Sequence, residues 1–430
     1  MRGLRMPRLT LKLKNLIKFQ IYFILVIEGV ISLLHVPSFF RYIIDINFLI
    51  MLSWIIIKKQ FSCQYKVFPK DCRKMFTYII VFMLMLILIA IMKFVPFGQI
   101  LWGIRNTFFP LIFLLICALG LRVDDVEQIF SVILKLQALN FLCGLYEFFV
   151  LDVHNDYLGG MFGTAQGCNG SLNAYLVIIC TYILTKFIHK KASGLEAGWI
   201  FLSSIIMATL AELKVFYIEL IFIIFLGIWI NKKNLKSFMM LVVGVFSLFV
   251  GMLILTNVNN ESVGFLTSLE SIIEYNSRTD YDGDIVISRL TSFSQINDYF
   301  FKDKNSTKIL GYGLGSCEDS QTFEWFNSDF AEQYRDIRYR YLTVAMNYLE
   351  TGYMGVVAFL IVFIVIFLLA HKYQNIIPRN EITGFVQILC VLYVFTCWYD
   401  SSIRSFSGYV MYFAISSFFI YAKTLKTLEG

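Results

Sequence analysis

The stretch from Thr351 to Ala370 reads TGYMGVVAFLIVFIVIFLLA, and none of its side chains is charged. The hydrocarbon layer of a bilayer is crossed by about 20 apolar residues in an α-helix. A helix at the surface of a soluble protein would need a polar face, and this stretch has none. The segment therefore predicts a membrane-spanning helix, and the rest of the fold depends on how often this pattern recurs.

Similar stretches occupy most of the 430 residues, which are 58% hydrophobic and only 16% charged. Soluble domains average about 45–50% apolar and about 25% charged residues, so a soluble globular protein is excluded. The nine cysteines are odd in number and lie mostly in apolar runs, which excludes a secreted disulfide scaffold. We expect an all-α, polytopic membrane protein with about 12 transmembrane helices, at residues 17–35, 39–57, 75–95, 106–121, 129–151, 171–188, 197–211, 215–230, 237–256, 342–370, 382–399 and 405–422.

These segments divide the chain into three parts. Residues 1–256 are expected to form an N-terminal bundle of about nine helices, and residues 342–430 a C-terminal group of about three. Between them lies the polar stretch 257–341, which is far longer than an ordinary connection. We expect it to form one large loop, with a function or short helices of its own.

Lys and Arg residues fall mostly on one side of the predicted bundle. With the N-terminus taken as cytoplasmic, twenty-two of them lie on one set of connections, within 2–18, 58–74, 122, 190–191, 232–236, 372–379 and 423–426. The other side carries only Arg41, Arg105, Lys214 and Arg404 outside the large loop. The positive-inside rule then predicts two cytoplasmic termini and an extracytoplasmic loop. The net charge of +7 is explained by topology, and we expect no nucleic-acid partner.

Charged residues also recur at the outer ends of the predicted helices. A charge at mid-membrane costs about 2.5–3.5 kcal/mol on insertion scales. Singly, each residue is explained by snorkelling or by pairing with a neighbour. At one shared depth, they predict a hydrated cavity that is open to the outside, and its cations suit a multiply charged anion. The residues are Glu28, Arg41, Asp45, Lys93, Arg105, Glu147, Glu212, Lys214, Asp400 and Arg404, with Arg289 from the loop.

Three patterns in the outer segments have less certain meanings. Gly311-Tyr-Gly-Leu-Gly-Ser316 is a weak phosphate motif, because no Rossmann-type strand precedes it, and a tight turn is favoured. The Asp280, Asp282 and Asp284 run misses the spacing of an EF-hand and favours a solvated loop. Whether Cys168 and Cys317 form a disulfide is left open by spacing. The scattered His and Cys residues predict no metal site.

Five short motifs follow one another along the chain. They are Leu101-Trp-Gly-Ile-Arg-Asn-Thr-Phe-Phe-Pro110, Gly160-Met-Phe-Gly-Thr-Ala-Gln-Gly-Cys-Asn169, Leu210-Ala-Glu-Leu-Lys-Val215, Ser288-Arg-Leu290 followed by Leu310-Gly-Tyr-Gly-Leu-Gly-Ser316, and Leu349-Glu-Thr-Gly-Tyr-Met-Gly355. In this order and on the predicted outer side, they resemble the bacterial O-antigen and capsule repeat-unit polymerases of the Wzy type, which share a superfamily with O-antigen ligases. One position departs from the pattern, because Tyr341 stands where ligases and several polymerases have a His nine residues before the motif Glu.

The resemblance implies a GT-C-like membrane glycosyltransferase of the bacterial cytoplasmic membrane. Such an enzyme polymerises oligosaccharide repeat units, carried on undecaprenyl-type diphosphate, into O-antigen, capsule or exopolysaccharide. We expect no cofactor and no metal. The expected partners are the lipid-linked oligosaccharide, membrane lipid, and a chain-length regulator and flippase of the same pathway.

Roles at the expected site follow from the charge that develops on the departing diphosphate oxygen. Cations placed in advance at that oxygen stabilise the transition state, and we assign this role to Arg289, Lys214 and Arg105. Glu350 is a candidate to accept or orient the acceptor proton, with His154, Tyr341 and Asp400 as unranked alternatives. The residues expected to bind substrate are Arg404, His154, Gly311, Gly313, Gly315, Arg340 and Asp400.

Three other functions remain open at this point. A ligase would move finished glycan to a final acceptor, and Tyr341 in place of His argues mildly against it. A transporter or lipid-linked oligosaccharide flippase fits 12 spans, but no internal repeat is evident and the charges are biased outward. A membrane scaffold explains the charges singly, but it does not explain their shared depth.

Overall fold

The structure is a computed structural model that describes residues 12–58, 65–230, 268–281, 284–302, 304–320, 322–377 and 380–428. Helices dominate these ranges, and eight of them are long and apolar enough to cross a membrane. A ninth, Gly194–Leu210, is apolar but shorter. The chain is therefore an all-α polytopic membrane protein in the part that the structure describes.

Fifteen α-helices and three short strands make up this part. The helices are α1 Leu13–Leu34, α2 Ile43–Ile57, α3 Lys70–Met92, α4 Phe97–Gly120, α5 Val123–Phe149, α6 Cys168–Ile188, α7 Gly194–Leu210, α8 Lys214–Ile230, α9 Leu269–Ser277, α10 Ser292–Ile296, α11 Asn305–Leu310, α12 Asp329–Gln333, α13 Thr343–Tyr373, α14 Asn380–Tyr399 and α15 Phe406–Leu428. The strands are β1 Asp280–Tyr281, β2 Asp284–Val286 and β3 Ile337–Arg338.

Every predicted apolar segment within the described ranges coincides with a helix, whereas the segment 237–256 lies outside them. The predicted boundaries need one substantial correction. Helix α4 begins at Phe97, after Pro96, and not near residue 106. Proline fixes a backbone angle that suits a helix start. As a result, Arg105 lies within α4 and not on a connection.

The helices differ in how much of their surface lies inside the bundle. The apolar windows of α6, α14 and α4 are 83%, 72% and 67% buried, whereas those of α2 and α3 are 28% and 33% buried. Helix α15 packs along α4, and α14 packs along α13. Helices α6, α14, α4 and α15 therefore form the centre, and the more exposed faces of α2 and α3 are free to contact lipid.

Ion pairs join the helix ends at one end of the bundle, which we call the basic end. Lys18 at the start of α1 binds Asp125 at the start of α5 at 2.6 Å. Near the end of α13, Lys372 lies 2.5 Å from Asp71. Near the end of α15, Lys423 donates to the carbonyl of Ala118 at 3.1 Å. The described basic connections meet at this end.

The described part of residues 268–341 packs at the other end. Strand β2 pairs antiparallel with β1 and parallel with β3. A small apolar core lies beneath this sheet, with Phe301 and Tyr339 buried against the first turns of α13. The predicted large loop therefore contains short helices and strands with packed side chains, which give it a defined position above the helices.

The glycine motif fixes this segment to the bundle. Gly315 has a φ of +87°, and a Cβ there would lie 2.0 Å from the carbonyl oxygen of Gln99 in α4. The buried Glu350 carboxylate accepts the Gly315 amide at 3.0 Å and the Cys317 amide at 3.3 Å. The backbone can approach α4 and α13 this closely only because side chains are absent.

Replacing Gly315 by Ala should therefore destabilise the protein by about 3 kcal/mol, since a strained φ and a steric overlap each contribute about 1–3 kcal/mol. Gly167→Ala is the matched control, because Gly167 has a φ of +80° but open space at its Cβ position. Thermal unfolding in detergent measures both. Equal losses of stability in the two variants would contradict the close packing at Gly315.

Candidate functional site

A cavity of about 710 Å³ opens at the end of the bundle where residues 268–341 pack. We call it the large cavity. Its walls come from four places in the chain: the start of α6, the turn between α7 and α8, the loop segment, and the residues after α14. They include Asn169, Gly170, Glu212, Leu213, Tyr275, Arg278, Arg289, Arg335, Arg338, Arg340, Tyr341, Asp400 and Ser402.

Arg289 is held in this cavity by aromatic rings. Its guanidinium carbon lies 4.4 Å from the ring centre of Tyr399, 5.4 Å from that of Tyr275 and 5.5 Å from that of Tyr341. Its Nε donates to the Tyr399 carbonyl at 3.0 Å. No ion pair joins Arg289 to a carboxylate among the residues that the structure describes. Its charge and its terminal N–H groups are thus available to a ligand.

Two more cations approach the same tyrosine. Lys214 Nζ lies 5.1 Å from the ring centre of Tyr275, and the guanidinium carbon of Arg278 lies 4.9 Å from it. Arg289 and Lys214 are 75 positions apart in sequence, yet they meet at one ring. The structure therefore brings together two of the three cations that we assigned to the leaving group.

A second group of arginines comes from β3 and its flanks. Arg335, Arg338 and Arg340 all line the large cavity. Arg340 forms an ion pair with Asp319, and its side chain is 42% exposed. Arg335 is also exposed. These guanidinium groups extend the basic surface from Arg289 towards the rim of the cavity.

The first turn of α6 adds a backbone contribution. Gly167, the N-cap residue, has a φ of +80°, and no side chain caps this helix start. Gly167, Asn169 and Ser171 line the large cavity. The free amides of a helix start carry partial positive charge and attract anions. The start of α6 therefore adds positive charge to that of the cationic side chains that line the large cavity.

Asp400 is a partly buried acid on the wall of the large cavity. Its carboxylate accepts the Ser402 amide at 2.8 Å, and its carbonyl accepts the Thr343 amide at 3.0 Å. Burial raises the pKa of the Asp400 carboxyl to about 6, against the opposing effects of Ser402 and Arg289. A carboxyl with such a pKa can take up or release a proton near neutral pH.

Tyr341 also faces the large cavity, but its hydroxyl donates to the carbonyl of Ile287. Burial raises the pKa of Tyr341 to about 12, although Arg289 opposes the shift. The hydroxyl is therefore protonated and engaged at neutral pH. This geometry suits a residue that orients Arg289 more than a proton acceptor, which is one of the roles considered for Tyr341.

Arg105 does not join the other cations. Its Nη2 and Nε donate to the two carboxylate oxygens of Asp45 at 2.8 and 3.1 Å, and its guanidinium carbon lies 4.5 Å from the Trp102 ring centre. It lines a separate, smaller cavity of about 300 Å³. The two cavities adjoin, because Arg340, Ser401 and Ser405 line both. The expected convergence of Arg105 with Arg289 and Lys214 is therefore corrected, because Asp45 neutralises Arg105 in another chamber.

Arg404 and Glu350 belong to one buried network. Arg404 Nη2 donates to Glu318 at 2.5 Å and to Thr107 at 3.2 Å, and lies 3.6 Å from Glu350. Arg404 faces the smaller cavity, and Glu350 lines neither of the two. Since Glu350 binds the glycine loop, the structure gives it an anchoring position in place of the expected contact with an acceptor.

The glycines and His154 also lie away from the large cavity. Gly311, Gly313 and Gly315 pack against the backbone or side chains of α3, α4 and α13, which agrees with a tight turn and not with substrate contact. His154 is about half exposed and lies 2.9 Å from Asp152. Neither the glycines nor His154 contribute to the walls of the two cavities.

Neither a family model nor a curated protein matches this chain. Within the described residues, no group of three or more His, Cys, Asp or Glu side chains could hold a metal ion. Cys168 and Cys317 are both free thiols, so the disulfide left open by the sequence is not formed. Asp280 lines the large cavity, whereas Asp282 lies outside the described residues.

Sequence reasoning missed several wall residues. No motif includes Tyr275, Arg278 or Tyr399. A contact between a tyrosine ring and an arginine can be recognised only when the positions of both side chains are known. Arg335 and Arg338 offered a signal, since with Arg340 they form an Arg-x-x-Arg-x-Arg run within the polar stretch. Such a run is more often a solvated surface.

The pKa of Asp400 predicts a pH-dependent effect on stability. The folded value of about 6 lies above the ordinary value of 3.8, so the folded state binds the proton more tightly and loses stability as pH rises from about 4 to 6. Asp400→Asn should therefore stabilise the protein by about 2 kcal/mol more at pH 7 than at pH 4. Thermal unfolding at the two pH values measures this difference. Asp336→Asn, at an exposed position, is the control, and an equal effect of Asp400→Asn at both pH values would contradict the prediction.

Proposed function

We propose that the protein is a membrane glycosyltransferase that extends a glycan carried on a polyprenyl diphosphate. In this proposal, it acts at the extracytoplasmic face of the bacterial cytoplasmic membrane and polymerises repeat units into a surface polysaccharide. The observation that carries the proposal is Arg289, which is surrounded by tyrosine rings, has no ion pair with any described residue and faces a cavity of about 710 Å³.

Support for a diphosphate ligand comes from the arrangement of positive charge. An arginine in an apolar bundle normally requires a carboxylate partner, as Arg105 and Arg404 have. Arg289 has tyrosine rings in that position, so a bound anion would complete its coordination. Lys214, Arg278 and the start of α6 would add charge around the same anion.

Support for a lipid-linked donor comes from the position of the cavity. The cavity lies where α6 and α8 begin and where α14 ends. In this proposal the three helices cross the membrane, so the cavity would lie at the level of the lipid headgroups. A diphosphate bound there could keep its polyprenyl chain in lipid and its glycan under the loop. Bond cleavage would place negative charge on the diphosphate oxygen, where Arg289 and Lys214 would stabilise it.

Asp400 is the acceptor-side group that the geometry favours in this proposal. Of the four candidates to accept the acceptor proton, Asp400 combines a place on the wall of the large cavity with a suitable pKa. Its carboxylate would accept the proton of the attacking sugar hydroxyl as the new glycosidic bond forms. The diphosphate would depart as an anion, and Arg289 would stabilise its negative charge.

Arg289→Ala should reduce chain extension at least 100-fold, because a cation placed at the developing charge contributes about 3–4 kcal/mol. The measurement uses proteoliposomes with lipid-linked repeat units extracted from cells that lack this chain, and the product is the glycan ladder. Arg289→Lys should retain part of the activity, since it keeps the charge but not the bidentate fork.

Lys304→Ala is the matched control, because Lys304 is an exposed cation of the same loop segment that lies outside both cavities. It should leave the ladder unchanged. A ladder of full length from Arg289→Ala at equal protein amounts would refute the proposed role. Transfer of single units without a ladder would indicate a ligase, and movement of unmodified lipid across the bilayer would indicate a flippase.

Asp400→Asn should lower the rate of extension by about 100-fold to 10,000-fold and leave donor binding intact, since the amide keeps the bond to Ser402 but cannot accept a proton. The initial rate at saturating donor, measured between pH 5 and pH 8, separates the two effects. The wild-type rate should fall below about pH 6, where Asp400 becomes protonated. An unchanged rate in the variant would remove Asp400 from the reaction.

A further inference from the structure

A second basic cavity, of about 450 Å³, lies at the basic end of the bundle, far from the site described above. It opens where α1 and α5 begin, α4 ends, and the last turns of α15 pass. We call it the basic-end cavity. Four cations, Lys12, Lys14, Arg122 and Lys423, contribute to its walls, against the single acid Asp125.

The acid of this cavity is already neutralised. Asp125 lies 2.6 Å from Lys18 and 3.5 Å from Lys14. Neither Lys12 nor Arg122 forms an ion pair within the part of the chain that the structure describes. The cavity thus keeps an excess of positive charge that no carboxylate among the described residues balances.

Lys423 defines the inner wall of the cavity. Its ammonium donates to the carbonyls of Ala118 and Leu121, both at 3.1 Å. An ammonium group has three N–H donors, so one remains for a ligand. On the opposite side, α1 begins without a side-chain cap or an acidic residue in its first turn. The partial positive charge of this helix start suits a phosphate oxygen.

The remaining walls are those of a membrane interface. Leu13, Leu119 and Leu121 provide an apolar side, and Trp54 stands one turn before the end of α2. Indole rings favour the level of the lipid headgroups. A ligand of this cavity therefore needs an anionic group at the helix ends and apolar chains beside the bundle.

We propose that the basic-end cavity binds the phosphodiester headgroup of an anionic phospholipid such as phosphatidylglycerol. The phosphate lies between Lys12, Arg122 and the free N–H of Lys423, and the acyl chains follow the outer surface of α1 and α2. Basic pockets between transmembrane helices are suited to such headgroups. This site is independent of the glycosyltransferase proposal.

The test measures thermal unfolding of the full-length protein in detergent micelles to which phosphatidylglycerol or phosphatidylcholine is added. Phosphatidylglycerol should raise the melting temperature, and phosphatidylcholine should have a much smaller effect. The double variant Lys12→Gln with Arg122→Gln should bind phosphatidylglycerol about 30-fold more weakly, since each basic residue contributes about 1 kcal/mol near anionic lipid.

The matched control is Lys70→Gln with Lys190→Gln, which removes the same charge from exposed positions at the same end but outside the cavity. It should bind like the wild type, and both double variants should unfold normally in phosphatidylcholine. An equal loss in both double variants would overturn the proposal, because general surface charge would then explain binding. Equal stabilisation by the two lipids, or full stabilisation by glycerol 3-phosphate without lipid, would also overturn the assignment to a phospholipid.

Discussion

Charge within a membrane-embedded bundle must be paired, hydrated or bound to a ligand, and this constraint organises both ends of the molecule. At the basic end, the pairs of Lys18 with Asp125 and of Lys372 with Asp71 join helix ends that are distant in sequence. At the other end, Arg105 and Arg404 are held by Asp45 and Glu318, respectively. These pairs form a scaffold, and Arg289 differs from them because no described carboxylate pairs with it.

The loop segment depends on the same scaffold. Glu350 accepts amides of the glycine turn while Arg404 lies beside its second oxygen, so one carboxylate connects loop, α13 and the turn before α15. The turn can reach Glu350 only because Gly315 carries no side chain. In the same loop segment, Arg289 lies against the rings of Tyr341 and Tyr399, and it shares the Tyr275 ring with Lys214. The geometry of the large cavity thus rests on packing outside it.

The sequence predicted the helices well and the site only in part. The length of an apolar segment is a local property, so the helices could be located from the sequence. The predicted start of α4 is too far along the chain, because Arg105 interrupts the apolar pattern of its first turns. Because Arg105 was therefore placed on a connection, it was expected to be available to a ligand. Its partner Asp45 lies 60 positions away, and no local pattern relates the two. Glu350 was similarly given an acceptor role, because its amide partners belong to a distant turn.

Composition and the spacing of charge determined by themselves that this chain is a helical membrane protein with basic connections on one side and a long polar segment. They did so because hydrocarbon thickness and backbone hydrogen bonding act on consecutive residues. Only the tertiary structure decided which cations meet at one site and which are neutralised elsewhere. Arg289 and Lys214 share a ring, whereas Arg105 is held by Asp45, because folding selects neighbours across the whole chain.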